Sequence, residues 1–304
     1  MPVDPQFLPI LEQSSQSPPI DLIPIALVRQ LAMPRIASEV ALAMISDIEV
    51  PGAEGAIKAR LYRPTLEPGL PLIIYMHGGG YIIGDLDTHD DACRNLAALT
   101  PAVVLSLDYR LAPEHPFPAA PDDCLAALRW AGANAASFGA DPDRIAVAGD
   151  SAGAALATVM ALRVRDEGGP ALRAQVLIYP AADLVDASDP PPSADGKHHL
   201  LTPRMCAYFG RCYMGETGDM RHPHASPAFA EDLAGLPPAL VITAEYDPLC
   251  TQGEAFAGRL QEAGVAVTLS RYDGAIHGFF TMPAPMGGEA HREAAAWLDA
   301  RFQS

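Results

Sequence analysis

Ile145-Ala146-Val147-Ala148-Gly149-Asp150-Ser151-Ala152-Gly153 is the stretch that decides how this chain folds. A short apolar run ends in a serine set between two glycines, the pattern of a strand that turns sharply into a helix beginning near Ala152. Glycine is needed on both sides because the turn leaves no space for a Cβ close to the strand and the helix. Such a corner lifts the serine hydroxyl above the sheet and aims the N-terminus of the helix at it. A tight turn with no chemistry would read the same way, so the nucleophile rests on three further features.

The first is His77-Gly78-Gly79-Gly80, which follows the apolar run Leu72-Ile73-Ile74-Tyr75-Met76. Adjacent glycines free the backbone to point several N–H groups one way, which suits the negative oxygen of a tetrahedral acyl intermediate. The expected donors are the amides of Gly78, Gly79 and Ala152. A dinucleotide loop counted from Gly78 would need glycine at 83, where the chain has Ile83. The second is an acid. Pro238 to Thr243 reads as a buried strand, and Asp247 follows in the loop at its carboxyl end, where sites in α/β sheets gather. Asp247 also suits a cap for the next helix, with Pro248 at the first helical position. Glu245 and Asp183 are rival acids. The third is His277, in Ala275-Ile276-His277-Gly278-Phe279, after a strand near 266–271 and before the last helix. Of nine histidines it is the one that follows the acid in a loop after the last strand.

Serine, then acid, then histidine is the order of the α/β-hydrolase fold. On the residues His77 to Gly80, Asp108-Tyr109-Arg110-Leu111-Ala112-Pro113-Glu114, Gly149 to Gly153, Asp247-Pro248-Leu249 and His277-Gly278-Phe279, the chain resembles the hormone-sensitive-lipase family of esterases, in the bacterial group (family IV) with the Gly-Asp-Ser-Ala-Gly elbow. The resemblance runs from about residue 55 to the C-terminus. It is loose over the first forty or so residues and over about 184–222.

Strands are expected near 45–50 and 56–62, joined as a hairpin, then near 72–76, 103–107, 145–149, 175–179, 239–243 and 266–271. Helices are expected near 88–99, 121–138, 152–167, 250–263 and 287–302. The fold class is therefore α/β, a mostly parallel twisted sheet of about eight strands flanked by helices. Leu22 to Met33 suits a helix and Ala37 to Met44 a shorter second one. The stretch from Asp183 to Pro227, with Pro190-Pro191-Pro192 and an amphipathic piece near 205–213, breaks the alternation in the manner of a lid. The resemblance implies that this segment and the N-terminal helices form a helical cap. The expected organisation is 1–43 as the N-terminal part of the cap, 44–183 as catalytic core, 184–222 as cap insertion and 223–304 as the rest of the core.

Composition narrows the partners. Hydrophobic residues are 49% of 304, and the net charge of −17 argues against nucleic acid and against docking on anionic membranes. Five cysteines (Cys93, Cys124, Cys206, Cys212, Cys250) without Cys-x-x-Cys spacing argue against a disulfide framework or zinc site. There is no signal-peptide pattern and no apolar run of membrane-spanning length, so a soluble cytoplasmic protein without metal or organic cofactor is expected.

These readings imply a serine carboxylesterase. Ser151 attacks an ester carbonyl, His277 is the base, and Asp247 orients it. The resemblance implies short to medium acyl chains and pairing of two copies through the last strand and helix, about 266–302. Asp150, Tyr208, Phe209 and Phe279 are candidates for touching substrate, though Asp150 also suits a helix cap and the aromatics also suit the core. Asp108, Arg110 and Glu114 suit an internal ion-paired knot that positions the Gly78 loop. Two rival readings are a ligand-binding protein on the same fold, like the plant gibberellin receptors that resemble the family but lack the working histidine, and an amidase or deacetylase.

Overall fold

The computed structural model describes residues 2–31, 35–185, 199–216 and 218–303. Its sheet begins with a hairpin. Strands β1 (Met44–Gly52) and β2 (Gly55–Arg63) pair in register from Met44 opposite Arg63 to Gly52 opposite Gly55, leaving Ala53-Glu54 as a two-residue turn. Then come β3 (Leu70–Met76), β4 (Val103–Asp108), β5 (Ala140–Asp150), β6 (Leu172–Ile178), β7 (Ala239–Tyr246) and β8 (Val267–Ile276), in the spatial order β1-β2-β4-β3-β5-β6-β7-β8. β2 lies antiparallel to β1 and β4, and every pairing from β4 to β8 is parallel.

Parallel strands need helical crossovers, and the helices cover both faces of the sheet. On β3 alternate residues divide between two cores. Leu72, Ile74 and Met76 pack with α4 (Ala119–Asn134), α5 (Ala152–Glu167) and α7 (Cys250–Glu262), through residues such as Leu128, Val159 and Phe256. Ile73 and Tyr75 pack with α3 (Asp90–Leu99) and α8 (Pro285–Phe302), through Leu96, Ala294 and Leu298. Both faces being dry explains why these strands read as unbroken apolar runs.

The helix expected over 121–138 ends as α-helix at Asn134 and finishes in a tight turn, Ala135–Phe138, closed by Gly139 at φ +82°. A helix not anticipated, α1 (Leu8–Ser15), opens the chain, and the one expected over 22–33 is α2 (Ile25–Leu31) as far as the described residues go. The second short helix expected over 37–44 does not form. Residues 35–43 form neither helix nor strand, with partial burial on every second residue, and Arg94 Nη1 donates to the Val40 carbonyl at 3.1 Å. Pro190 to Pro192 lie outside the described residues. The amphipathic piece beyond them is α6 (Pro203–Met214), whose first turn is capped by Thr202 Oγ1 accepting from Met205 N–H at 3.2 Å.

α6 and the N-terminal segment share one layer. Ile20, Ile23, Tyr208, Phe209 and Cys212 pack on a small cluster formed by Val28, Ile82, Ile83 and Ala112. Arg204 of α6 pairs with Asp21 at 2.8 Å. The layer sits on the loop after β3, because a Cβ on Gly80 would collide with the Phe209 ring.

The charged knot expected from Asp108, Arg110 and Glu114 separates into different pairs. Arg110 turns to buried Asp123 (2.8 Å) and to Glu54 (2.6 Å), tying the hairpin turn to α4. Glu114 pairs with Arg29 of α2 at 2.6 Å. Asp108 stands apart from both, and burial pushes its carboxyl above the usual carboxylate range.

Candidate active site

β5 ends at Asp150 and α5 starts at Ala152, which leaves Ser151 alone in the corner at φ +54°, ψ −119°. A non-glycine residue at positive φ stores on the order of 1–3 kcal/mol, held here by surrounding bonds. Ser151 N–H donates to Ile178 O at 2.8 Å, and Ser151 O accepts from Ala154 (3.1 Å) and Ala181 (3.2 Å). The flanking glycines are forced by neighbours, since a Cβ on Gly149 would meet the Gly153 carbonyl and one on Gly153 the Met76 carbonyl.

Asp247 follows the last residue of β7, and His277 the last residue of β8. Neighbouring parallel strands therefore bring the two side chains to the same edge of the sheet as Ser151. His277 Nδ1 lies 2.6 Å from Asp247 Oδ2, and Nε2 lies 3.0 Å from Ser151 Oγ. A carboxylate only accepts, so Nδ1 carries the proton and the Nε2 lone pair receives the serine hydroxyl. Asp247 is fully buried, and its other oxygen accepts from Leu249 N–H at 2.8 Å. That bond shapes the turn ahead of α7, which starts at Cys250, so Pro248 precedes the helix rather than occupying its first position as expected. The rival acids are turned elsewhere. Glu245 accepts from Gly274 N–H (2.8 Å) and Asp183 from Val185 N–H (2.7 Å).

The glycine loop departs from expectation at its first residue. Gly78 N–H does not face the serine. It donates to Asp150 Oδ1 at 3.0 Å, behind the loop. The next two residues turn through positive φ, +118° at Gly79 and +59° at Gly80. Among the described residues the amides of Gly79, Gly80 and Ala152 have no acceptor, and all three residues border the cavity above Ser151. The set of available donors is thus Gly79, Gly80 and Ala152, with Gly80 in the place that the sequence reading gave to Gly78.

A model of the α/β-hydrolase fold matches residues 73–281, which takes in the glycine loop, Ser151, Asp247 and His277. The chain belongs to the α/β-hydrolase family. This α/β hydrolase is 44% identical over 240 residues to the esterase LipI of Mycobacterium tuberculosis, an alignment covering 77% of this chain and 74% of that one. It is 40% identical over 247 residues to an ethyl acetate hydrolase of Pseudomonas putida, covering 78% and 76%. Among solved structures, a hyperthermophilic esterase from the archaeon Pyrobaculum calidifontis superposes with a TM-score of 0.89 at 42% identity, covering 99% of each chain. The motif resemblance to the hormone-sensitive-lipase esterases agrees with these relatives.

The cavity over Ser151 in this hydrolase holds about 840 Å³. Its lining includes the apolar side chains of Leu200, Met205, Phe209, Leu249 and Met282 and reaches Gln13, Ser14 and Asp21 of the N-terminal segment. Of the four side chains expected to touch substrate, Phe209 lines this space. Tyr208, one residue earlier in α6, packs in the cluster beneath the N-terminal segment instead. Phe279 is fully buried against Tyr179 and Tyr272, with ring centroids at 5.8 and 4.9 Å. Asp150 borders the cavity, but its Oδ1 is taken up by Tyr75 O–H (2.8 Å) and Gly78 N–H.

Sequence reasoning missed Leu200, Met205 and Met282, whose only signal is an apolar residue near the amphipathic α6 or after His277. It also missed Tyr179, whose ring lies 4.6 Å from that of His277. Cys206 and Cys250 stand nearby as thiols pushed up to about 12 by burial, which keeps them protonated and poorly nucleophilic. All five cysteines are unpaired. Among the described residues no three His, Cys, Asp or Glu side chains cluster to hold a metal ion, and no helix is long and apolar enough to cross a membrane.

Proposed function

We propose that this protein is a serine carboxylesterase that works through an acyl-enzyme. The observation that carries the reading is the continuous chain Asp247–His277–Ser151, at 2.6 and 3.0 Å, beside unoccupied amides at Gly79, Gly80 and Ala152. His277 Nε2 takes the Ser151 proton as Oγ bonds to the ester carbonyl carbon. The carbonyl oxygen becomes an oxyanion held by the three amides. Collapse breaks the bond to the alkoxy oxygen, which leaves with the proton from His277. Water then repeats the sequence on the acyl-enzyme, giving up its proton to His277 and releasing the acid with Ser151 restored. Asp247 keeps the ring in the tautomer the step needs and stabilises the transient imidazolium.

The apolar side chains in the lining of this cavity suit acyl groups of short to medium length. The N-terminal segment and α6, which meet over the cavity, act as a cap in this reading. The outer edge of β8 around exposed Leu269, which pairs with no strand among the described residues, suits pairing with a second copy, which size-exclusion of Leu269→Arg tests.

Ser151→Ala is expected to abolish hydrolysis of 4-nitrophenyl butyrate while leaving the unfolding temperature unchanged, and wild-type protein is expected to take up one organophosphate at Ser151. Turnover near wild-type in that variant would refute the reading. A panel of 4-nitrophenyl esters from acetate to palmitate should peak at short or medium chains, and matched anilides should be poor substrates.

A further inference from the structure

Asp150 immediately precedes the nucleophile, yet its side chain is turned to the back of the neighbouring loop and buried there. Its Oδ1 is the meeting point of three groups: Tyr75 O–H at 2.8 Å, Gly78 N–H at 3.0 Å and His89 Nε2 at 3.2 Å. His89 Nε2 also lies 3.3 Å from Gly78 N. The amide has a nearer, charged acceptor in Asp150, so Nε2 serves as an N–H donor to the carboxylate. The other ring nitrogen faces Thr88 Oγ1 at 2.9 Å. Tyr75 and His89 have no exposed surface, so none of these bonds is traded with water. Glycine at 78 is what lets the carboxylate come this close, because a Cβ there would strike Asp150 Oδ2.

We infer that Asp150 and His89 are positioning residues for ester hydrolysis: by holding the Gly78 amide backwards, they fix the first peptide of the loop, from which the chain turns to present the Gly79 and Gly80 N–H groups to the oxyanion. The inference rests on the esterase reading above and adds a cause for the loop's direction. Three successive glycines have no side chains of their own to fix which way their peptides face. The two later peptides are held through their carbonyls, Gly78 O facing His77 Nδ1 at 2.7 Å and Gly79 O accepting from Ile82 (3.1 Å) and Ile83 (3.0 Å) N–H, and the first peptide, from which the loop turns, is anchored on the residue next to the nucleophile. Nucleophile and oxyanion donors thereby move as one body. Oxyanion donors act through distance, and displacement by about 1 Å costs about 100-fold in rate.

The test uses the full-length protein and compares a transition-state analogue with a substrate. An aryl trifluoromethyl ketone binds Ser151 as a tetrahedral oxyanion, whereas KM for 4-nitrophenyl butyrate reflects chiefly the rest of the cavity. In His89→Ala the expected result is a fall in kcat of about 10- to 100-fold, a matching rise in the ketone Ki and a KM within about threefold of wild-type. His89→Gln, which keeps an N–H donor of similar reach, should recover most of both losses. Tyr75→Phe removes one donor without changing shape, and should move kcat and Ki the same way by about threefold to tenfold. It supplies the test if His89→Ala fails to fold. An unchanged Ki, a Ki and KM that rise together, or a Gln variant no better than Ala would overturn the inference. Wild-type turnover and organophosphate uptake at Ser151 report separately on the esterase reading itself.

Discussion

Replacing Asp247 by asparagine exchanges one carboxylate oxygen for an NH2 group and tests the electrostatics of the whole constellation. In the native site Oδ1 accepts from Leu249 N–H at 2.8 Å and Oδ2 accepts from His277 Nδ1 at 2.6 Å, and the carboxylate has no water to turn to. An amide has one acceptor for these two donors. With its oxygen kept toward Leu249, its NH2 faces Nδ1, which then must accept, and the ring proton moves to Nε2, where it blocks the Ser151 hydroxyl. With its oxygen turned to the ring, NH2 and the Leu249 N–H confront each other in a buried space, at a cost of about 1–3 kcal/mol. The second arrangement alone sets a loss of roughly 5- to 150-fold. The variant also lacks the negative charge that stabilises the imidazolium, and the combined loss expected for a misprotonated base of this kind is about 10⁴ in kcat, or about 5.5 kcal/mol. Initial rates on 4-nitrophenyl butyrate at pH 7, with active sites counted by organophosphate uptake and folding checked by circular dichroism, give the number. A folded Asp247→Asn retaining more than a tenth of wild-type kcat would refute the argument.

Two further predictions come from other parts of the structure. Burial holds His77 and His291 down to about 4, below the ordinary value of 6.5, so the folded state binds fewer protons than the unfolded one between those limits. Stability is therefore full above about pH 6.5 and is lost as pH falls toward 4, by up to about 3 kcal/mol for each histidine. His291→Phe should flatten the slope of urea-unfolding free energy across that window, and an unchanged slope would sink the assignment. Gly80→Ala should lower kcat strongly, since its Cβ meets the Phe209 ring and its φ of +59° is strained for alanine. Adding Phe209→Ala should restore part of the activity by removing the collision but not the strain of about 1 kcal/mol, and kinetics showing simple additivity would contradict that contact.

The elbow was legible because its requirements are local: two glycines forced by adjoining carbonyls leave a signature within five residues. The acid and the histidine were legible because each follows an apolar strand whose place in a parallel sheet fixes where its end points. The direction of the glycine loop was not. Gly78, Gly79 and Gly80 look alike in sequence, and what distinguishes them is Asp150, 72 residues away from Gly78 along the chain. The stretch over 35–43 was not legible because its partial burial repeats every second residue with too weak a contrast in hydrophobicity to reveal the period. Phe279 and Phe209 are equally plausible as pocket walls by residue type. Only packing against Tyr179 and Tyr272 sends Phe279 inward.

The groups that carry the proposed chemistry hang from the ends of β3, β5, β7 and β8, while the layer above them is drawn from two remote stretches that meet through Arg204, Asp21 and a handful of apolar side chains. Under the proposed reading, exchanging side chains over 8–31 and 199–214 is expected to change which esters turn over, with Phe209 and Arg29 kept because they brace Gly80 and the Ile82 carbonyl beneath.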